Sequence, residues 1–366
     1  MSGLEPTPEQ EELRDTVRAV LARHSGHTAW APLTAQVGAA ALAVPEEYGG
    51  LGCGAAEVAV VMAELGRALS PVPYLGSAVL TVRALLAAGD RRACAEHLPG
   101  LADGSVVGAL AWAEDAGGGR GSWDADGLTT RAEPVPGAGT GADRLLTGVK
   151  RYVLAGPVEP ALLLAFARAA DTGRLGLYEL TAPPARFTVR ATMDPTRPLA
   201  ELTLARTPAR LLSADGDGVL TSVRDWACTA LAAEQAGAAG RALEVTVRHA
   251  KDRSQFGRPI GSFQAVKHRL ADMHTAVETA GALALAAAAA GAPPELAAAA
   301  RSACSEAYAY VAGEMIQLHG GIGITWEHEA HTWFKRAHGS GQLFGTPAAH
   351  RERLARALGF LVPSGP

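Results

Sequence analysis

The chain has 366 residues, more than a single hydrophobic core usually serves, so two or three domains are expected. Its 33 lysines and arginines nearly balance 37 aspartates and glutamates, which leaves no field to draw in nucleic acid or an anionic membrane and favours small, locally recognised ligands. The 4 cysteines, Cys53, Cys94, Cys228 and Cys304, are too scattered for a zinc site, an iron–sulfur cluster or a disulfide framework, and a reducing cytoplasm is the expected compartment.

The chain opens on "EPTPEQEELRDTVRAVLARH", which reads as a docked amphipathic helix rather than a signal peptide. Thr7 is its expected N-cap, Pro8 fills the first helical position and Gln10 completes a capping box. Leu13, Val17 and Leu21 recur at helical spacing, and "AAEVAVVMAELGRAL" over 55–69 repeats the pattern after the turn "VPEEYGGLG". From about 106 to 215 the pattern changes to short apolar runs cut by glycine and proline: "VVGALAW", "RYVLAG", "ALLLAFAR", "RLGLYELTA", "RFTVRATM" and "LAELTLAR". Long helical segments return over 221–252, 262–291 and 294–318, the last two parted by the break from Gly291 to Pro294. Helices, then strands, then helices predict three domains of α+β content. The alanine-rich stretch 282–300 is broken by Pro293 and Pro294 and is not a membrane span.

Two segments suit a phosphate-bearing ligand. In "RSQFGRPIGSFQ", 253–264, Arg253 at a helix end offers a planar fork of donors to a pyrophosphate, Phe256 an apolar cover for a ring, and Gly257 and Gly261 close backbone approach. Taken alone, it reads first as a plain connection between helices with a surface arginine. In "QLHGGIGITWEHEA", 317–330, a helix ends in a glycine-rich turn whose bare amides, beside Gln317, suit a phosphate or an adenosine edge. Alone it is also an ordinary helix C-cap. The glycines of "GGGRG" (117–121) and "GAGTGAD" (137–143) open no long helix after a strand and read as loops. His328 and His331 are three apart, not four as a metalloprotease helix needs, and read as surface histidines. No metal ligands are assigned.

Together and in this order, "LAVPEEYGGLG", "MAELGRAL", "TGVKRYVLAG", "RSQFGRPIGSFQAVKHRLADM" and "QLHGGIGIT" resemble the acyl-CoA dehydrogenase family over nearly the whole chain. The resemblance implies an N-terminal helical domain (1–105), a middle β-barrel or sandwich domain (106–215) and a C-terminal four-helix bundle (216–366) that binds FAD at a subunit interface. It implies α,β-desaturation of an acyl-CoA or acyl-carrier thioester, with electrons passed to an electron-transfer flavoprotein or similar acceptor. By the same resemblance Arg253, Phe256, Gln264, Gln317, Gly320 and Gly321 bind cofactor.

The family's base, a glutamate, is missing from both of its usual places, which hold Phe344 and Ala227, so no catalytic residue is assigned. Glu234, seven residues beyond Ala227, reads as structural. Ala113 stands for a flavin-bonding threonine, Gly119 for a serine, Tyr152 for a tryptophan and Leu154 for the threonine near flavin N5. The resemblance places the retained set on the neighbouring subunit's FAD and the lost set on the chain's own flavin. It thus implies the non-catalytic subunit of a bacterial heteromeric (α2β2) enzyme, whose partner is a second dehydrogenase-like subunit. The ending "LFGTPAAHRERLARAL" resembles the branch acting on bulky acyl groups such as steroid side chains. Two other readings stand beside this one: a self-sufficient homomeric flavoenzyme with altered chemistry, and a scaffold that has lost FAD.

Overall fold

A computed structural model describes residues 6–115, 121–135, 143–156 and 159–360. Helices α1 (Pro8–Arg23), α2 (Trp30–Ala35), α3 (Ala55–Arg67), α4 (Val82–Ala88) and α5 (Arg91–Ala102) come first. Strands β1 (Gly108–Ala111), β2 (Glu114–Asp115), β3 (Gly121–Ser122), β4 (Arg131–Pro134), β5 (Asp143–Val153), β6 (Leu162–Ala169), β7 (Leu175–Leu180), β8 (Arg186–Arg190) and β9 (Leu199–Ser213) follow. The chain then runs through α6 (Gly216–Asp252), the short strands β10 (Ser254–Gln255) and β11 (Arg258–Pro259), α7 (Gln264–Ala289), α8 (Pro294–His319), α9 (Ala330–Ser340) and α10 (Pro347–Ala357). The expected order of helices, β-barrel and helices is the observed one. Among the described residues no helix is long and apolar enough to cross a membrane.

The chain forms two compact units, and the boundary falls inside α6 between Ala227 and Cys228. One unit holds residues 24–53 and 71–227, the other the N-terminal helix, 54–70 and everything from Cys228 onward.

In the first unit β6, β4, β5, β9 and β7 pair in turn, and β7 pairs back onto β6, so these strands close into a barrel. β1 extends it parallel to β6, with Gly108 opposite Leu162, and β8 lies along β9. The interior is narrow because many inward residues are small: Ala109, Ala111, Ala132, Ala165 and Ala167 pack with Leu146, Val153, Leu202 and Tyr178. β4 and the first half of β5 escaped the sequence reading, because only Ala132 of β4 is fully buried and the apolar alternation is weak there. Asp143, read as the end of a loop, opens β5, and Gly121, read likewise, pairs with Asp115 across β2 and β3. The remaining glycines of those stretches, 117–120 and 137–142, lie outside the described residues.

The other unit is helical. Thr7 and Gln10 form the expected capping box at α1, the Gln10 N–H donating to Thr7 Oγ1 at 3.3 Å and the Thr7 N–H to Gln10 Oε1 at 3.2 Å. α3 approaches α6 backbone to backbone: a Cβ on Gly66 would overlap the Glu234 carbonyl, and one on Gly237 the Ala63 carbonyl. The core uses the same economy of side chain, with Ala238, Ala239, Ala242 and Ala312 packed around Tyr308, Met315 and Trp333. Alanine enrichment here is therefore close helix packing. Pro294 opens α8 at its first position, where a missing N–H leaves no helical bond unmade.

Candidate functional site

The arginine segment is a hairpin, not the simple loop that its glycines suggested. α6 ends at Asp252, and the Ile260 N–H, just past the return strand, donates to the Arg253 carbonyl at 2.8 Å and closes the hairpin at its base. β10 and β11 pair antiparallel, leaving Phe256 (φ 54) and Gly257 (φ 76) as a two-residue tip. Both tip residues are left-handed, as a type I′ turn requires, and for phenylalanine this is a strained choice. The strain presents an apolar ring to water: Phe256 is 92% exposed. Phe263 lies edge-on to it at 6.2 Å, and the Arg258 guanidinium sits over the Phe263 ring at 4.0 Å. Arg253 and Gln264 are exposed, and among the described residues neither side chain is held by a hydrogen bond.

The glycine segment caps α8. Gly320 turns at φ 63 into the short helical turn Gly320–Ile324, and a Cβ on Gly320 or Gly321 would meet nothing within 4 Å. Glycine at 320 thus serves backbone conformation, and the turn's surface is open to a ligand. Gln317 is exposed one helical turn before it, its amide unspent among the described residues.

Histidine rings bring the two segments together. His249, one turn before Arg253 on α6, stacks on His319, the last residue of α8, with centroids 4.1 Å apart and planes at 26°. His328 lies against His319 at 4.5 Å. It is half-buried in this cluster, so the surface reading of His328 is corrected; His331 is half-buried too, edge-on to Trp326 at 4.8 Å. The His319 Nδ1–H donates to the Met315 carbonyl at 2.7 Å, while its Nε2 is buried without a partner among the described residues. Burial first, then the neighbouring rings, hold His319 down at about 4, so it is neutral at ordinary pH. No local sequence signal marks this cluster, since its members come from separate elements.

The two positions where the resemblance expects a base, 344 and 227, are both buried. Phe344 is 1% exposed at φ 60, followed by Gly345 at φ 109. The turn before it is clamped by buried Arg301, which donates from Nη2 to the carbonyls of Ser340 and Leu343, each at 2.7 Å. Ala227 is wholly buried. Glu234 is spent in a buried ion pair with Arg336 at 2.9 Å, in keeping with its structural reading.

In the barrel unit, Ala113 and Leu154 are 1% and 7% exposed. The Arg151 N–H donates to the Ala113 carbonyl at 2.8 Å, and Gly76, in the wide helical turn Leu75–Thr81, lies directly on the Leu154 carbonyl. Tyr152 sits in a β-bulge at φ 56, tilted against Trp123 at 6.1 Å, and Trp123 meets Trp112 edge-on at 5.4 Å. Protein atoms therefore cover Ala113 and Leu154, the positions where the resemblance expects flavin-bonding threonines. Gly119 lies outside the described residues.

A dinucleotide fits one set of residues and not the other. The exposed guanidinium of Arg253, the bare ring of Phe256, the Gln317 amide and the open Gly320–Gly321 turn suit the phosphate and adenosine end. The apolar, covered surfaces of Ala113 and Leu154 offer a flavin ring no donor and no room.

Residues 7–105 match the acyl-CoA dehydrogenase N-terminal domain and 215–359 the acyl-CoA dehydrogenase C-terminal domain. The acyl-CoA dehydrogenase IpdE2 of Mycobacterium tuberculosis is 42% identical over 95% of this chain and 97% of its own length. The chain belongs to the acyl-CoA dehydrogenase family. That family consists of oxidoreductases that typically bind FAD. Among solved structures, a variant of the Tcur3481-Tcur3483 steroid ACAD is 30% identical, with a TM-score of 0.81 over 96% of this chain and 98% of that one. The ChsE4-ChsE5 complex from Mycobacterium tuberculosis has a TM-score of 0.85 at 26% identity, covering 98% of this chain and 99% of that one. Butyryl-CoA dehydrogenase of Megasphaera elsdenii shares the acyl-CoA dehydrogenase fold at a TM-score of 0.86 and 21% identity, over 97% and 99% of the two chains.

Proposed function

We propose that this chain is the non-catalytic subunit of a heteromeric FAD-dependent acyl-CoA dehydrogenase, two copies of it assembling with two of a catalytic partner. The observation that carries the reading is the split between sealed and open positions. Ala113, Leu154 and Phe344, which stand where the family meets its own flavin and substrate, are buried in protein, whereas Arg253, Phe256, Gln317, Gly320 and Gly321 are exposed. A residue lining a usable pocket in a ligand-free chain faces solvent, so burial of the first set argues for a closed site.

In this reading Arg253, Phe256, Gln264, Gln317, Gly320 and Gly321 hold the ADP end of the FAD whose ring lies in the partner. When bound, FAD supplies the two-electron acceptor for desaturation of the acyl thioester. Arg253 contributes a charge-assisted contact to pyrophosphate, Phe256 an apolar face, and the glycine turn backbone N–H donors. The proton-abstracting carboxylate belongs to the partner, since the two positions here hold Phe344 and Ala227. The likeness to two-component dehydrogenases, one described as a steroid enzyme, supports both the assembly and a bulky acyl substrate. Division at about residues 105 and 215 is part of the same proposal and agrees with the limits of the two family matches. A cytoplasmic setting and transfer of electrons to an electron-transfer flavoprotein or similar acceptor complete it.

The test is flavin content after purification. The chain expressed alone is expected to be colourless and to gain a share in bound FAD only when co-expressed with its partner subunit. Stoichiometric FAD on the chain alone refutes the proposal and favours a self-sufficient flavoenzyme.

A further inference from the structure

We infer that His249 and His319 are positioning residues for the dinucleotide: their stacked rings hold the arginine hairpin and the Gly320–Gly321 turn in one register, so that the donors of both reach a single ligand. The inference deepens the proposed FAD role of these segments and rests on it.

The geometry carries the inference. His249 lies one helical turn before Arg253, and His319 directly precedes Gly320, so the stack at 4.1 Å joins the roots of the two segments and not their tips. His319 is covered on another side by His328 at 4.5 Å, and its orientation is fixed by the Nδ1–H bond to the Met315 carbonyl. Beyond these roots the hairpin meets little: Phe256 is almost fully exposed and the hairpin is only two residues long on each side. Its aim therefore depends on its base. A wholly aliphatic contact would fill the same space without leaving the His319 Nε2 buried and unpartnered, so filling space does not explain the imidazoles.

Stacked imidazoles attract while at most one of them is charged and repel once both are. The groups facing them are Arg253 and Asp252 from α6, His328 from the turn, and, next to His328, His331 with Lys335 of α9. Arg253 and His328 oppose a proton on His249, while Asp252 favours it. A proton on His249 faces the like charge of Arg253, and once both rings are charged they repel across one ring-stacking distance and the register between the two segments is lost.

The experiment uses the full chain in complex with its partner, and reads FAD retention by equilibrium dilution from pH 5 to 8. His249→Ala is expected to loosen FAD roughly 2- to 10-fold at pH 7.5, the range expected for one lost ring stack. His249→Phe keeps a flat ring without a proton, so it restores retention at pH 7.5 and flattens the acid limb along which the wild type sheds FAD as its imidazoles take up protons. Arg253→Ala is run beside them. If Arg253→Ala loosens FAD but His249→Ala does not, positioning is refuted and the FAD reading stands. If His249→Phe behaves as His249→Ala, the ring stack is not what sets the register and the inference fails. If Arg253→Ala also leaves FAD untouched, the FAD reading itself falls, and this inference with it.

Discussion

Arg336 donates from Nη1 to Glu234 Oε1 at 2.9 Å, and the two side chains are 1% and 4% exposed. Glu234 lies on α6 seven residues beyond Ala227, one of the two places where the resemblance expects the family's base, and the ion pair commits it to the fold. Breaking a buried pair by deleting one member leaves the other charge stranded. Glu234→Ala is therefore expected to lower the stability of the chain by about 3–5 kcal/mol. Urea melts followed by circular dichroism measure this, and a loss within the noise of surface substitutions would overturn the structural role.

Arg253→Ala in the assembled complex is expected to weaken FAD retention by about 1.5–3 kcal/mol, the usual contribution of a hydrogen bond to a charged group. Arg253→Lys is expected to recover only part of this, because lysine supplies charge without the planar fork. Neither variant should change the melting of the flavin-free chain, since the Arg253 side chain is exposed and has no hydrogen-bond partner among the described residues. Equal retention in wild type and both variants contradicts the assignment.

The barrel carries its own buried pair, with Lys150 Nζ 2.5 Å from Glu114 Oε1. Burial pushes the Glu114 carboxyl up, but the Lys150 charge and the donors of Lys150, Thr129 and Thr130 outweigh it and hold it at about 2, below its ordinary 4.5. Between these values the unfolded chain binds a proton that the folded chain does not, so stability falls with pH across that window. The contribution is complete above about pH 4.5 and is lost as pH drops through about 2. Glu114→Gln is expected to be less stable at neutral pH and to show a shallower decline in this window, measured by urea midpoints from pH 2 to 6. Parallel curves for the two proteins would contradict the pairing.

Phe344→Glu restores the family's acid at its place in the chain, yet it is expected to create no dehydrogenase activity in the isolated chain supplied with FAD. Residue 344 is 1% exposed, so the new carboxyl is buried, its pKa rises by desolvation, and the fold is destabilised. Independently, Ala113 and Leu154 offer the flavin ring no donor. Anaerobic flavin bleaching against a panel of acyl-CoA thioesters checks this. Substrate-dependent bleaching by the variant shows a site that was whole except for its base.

Much of this was legible in the sequence, and the gaps have physical causes. The long helices were read within a few residues, because Pro294 and the Gly291 break punctuate an otherwise continuous alanine-rich pattern. The proposed cofactor set came from the family resemblance of the ordered motifs, since Arg253 and Phe256 taken alone read as a connection between helices, and their exposure is what the structure adds. β4 was not readable, since a strand with one fully buried residue carries almost no periodicity. The Phe256–Gly257 hairpin tip hid because only glycine advertises a left-handed backbone, and Phe256 takes φ 54 without any such mark. The histidine stack was hidden more deeply: His249, His319 and His328 sit at separate element ends, and only the packing of α6 with α8 makes them neighbours. The sealing of Leu154 depends likewise on a distant residue, Gly76.

The most direct test of the non-catalytic role is the flavin stoichiometry of the intact complex, from absorbance of released FAD against quantitative amino-acid analysis of both polypeptides. If Arg253 and the glycine turn complete the partner's site while Ala113 and Leu154 close this chain's own, each pair of unlike chains holds one FAD. One FAD on every chain would show that the barrel unit accepts a flavin after all, and would contradict the division of labour proposed for this subunit.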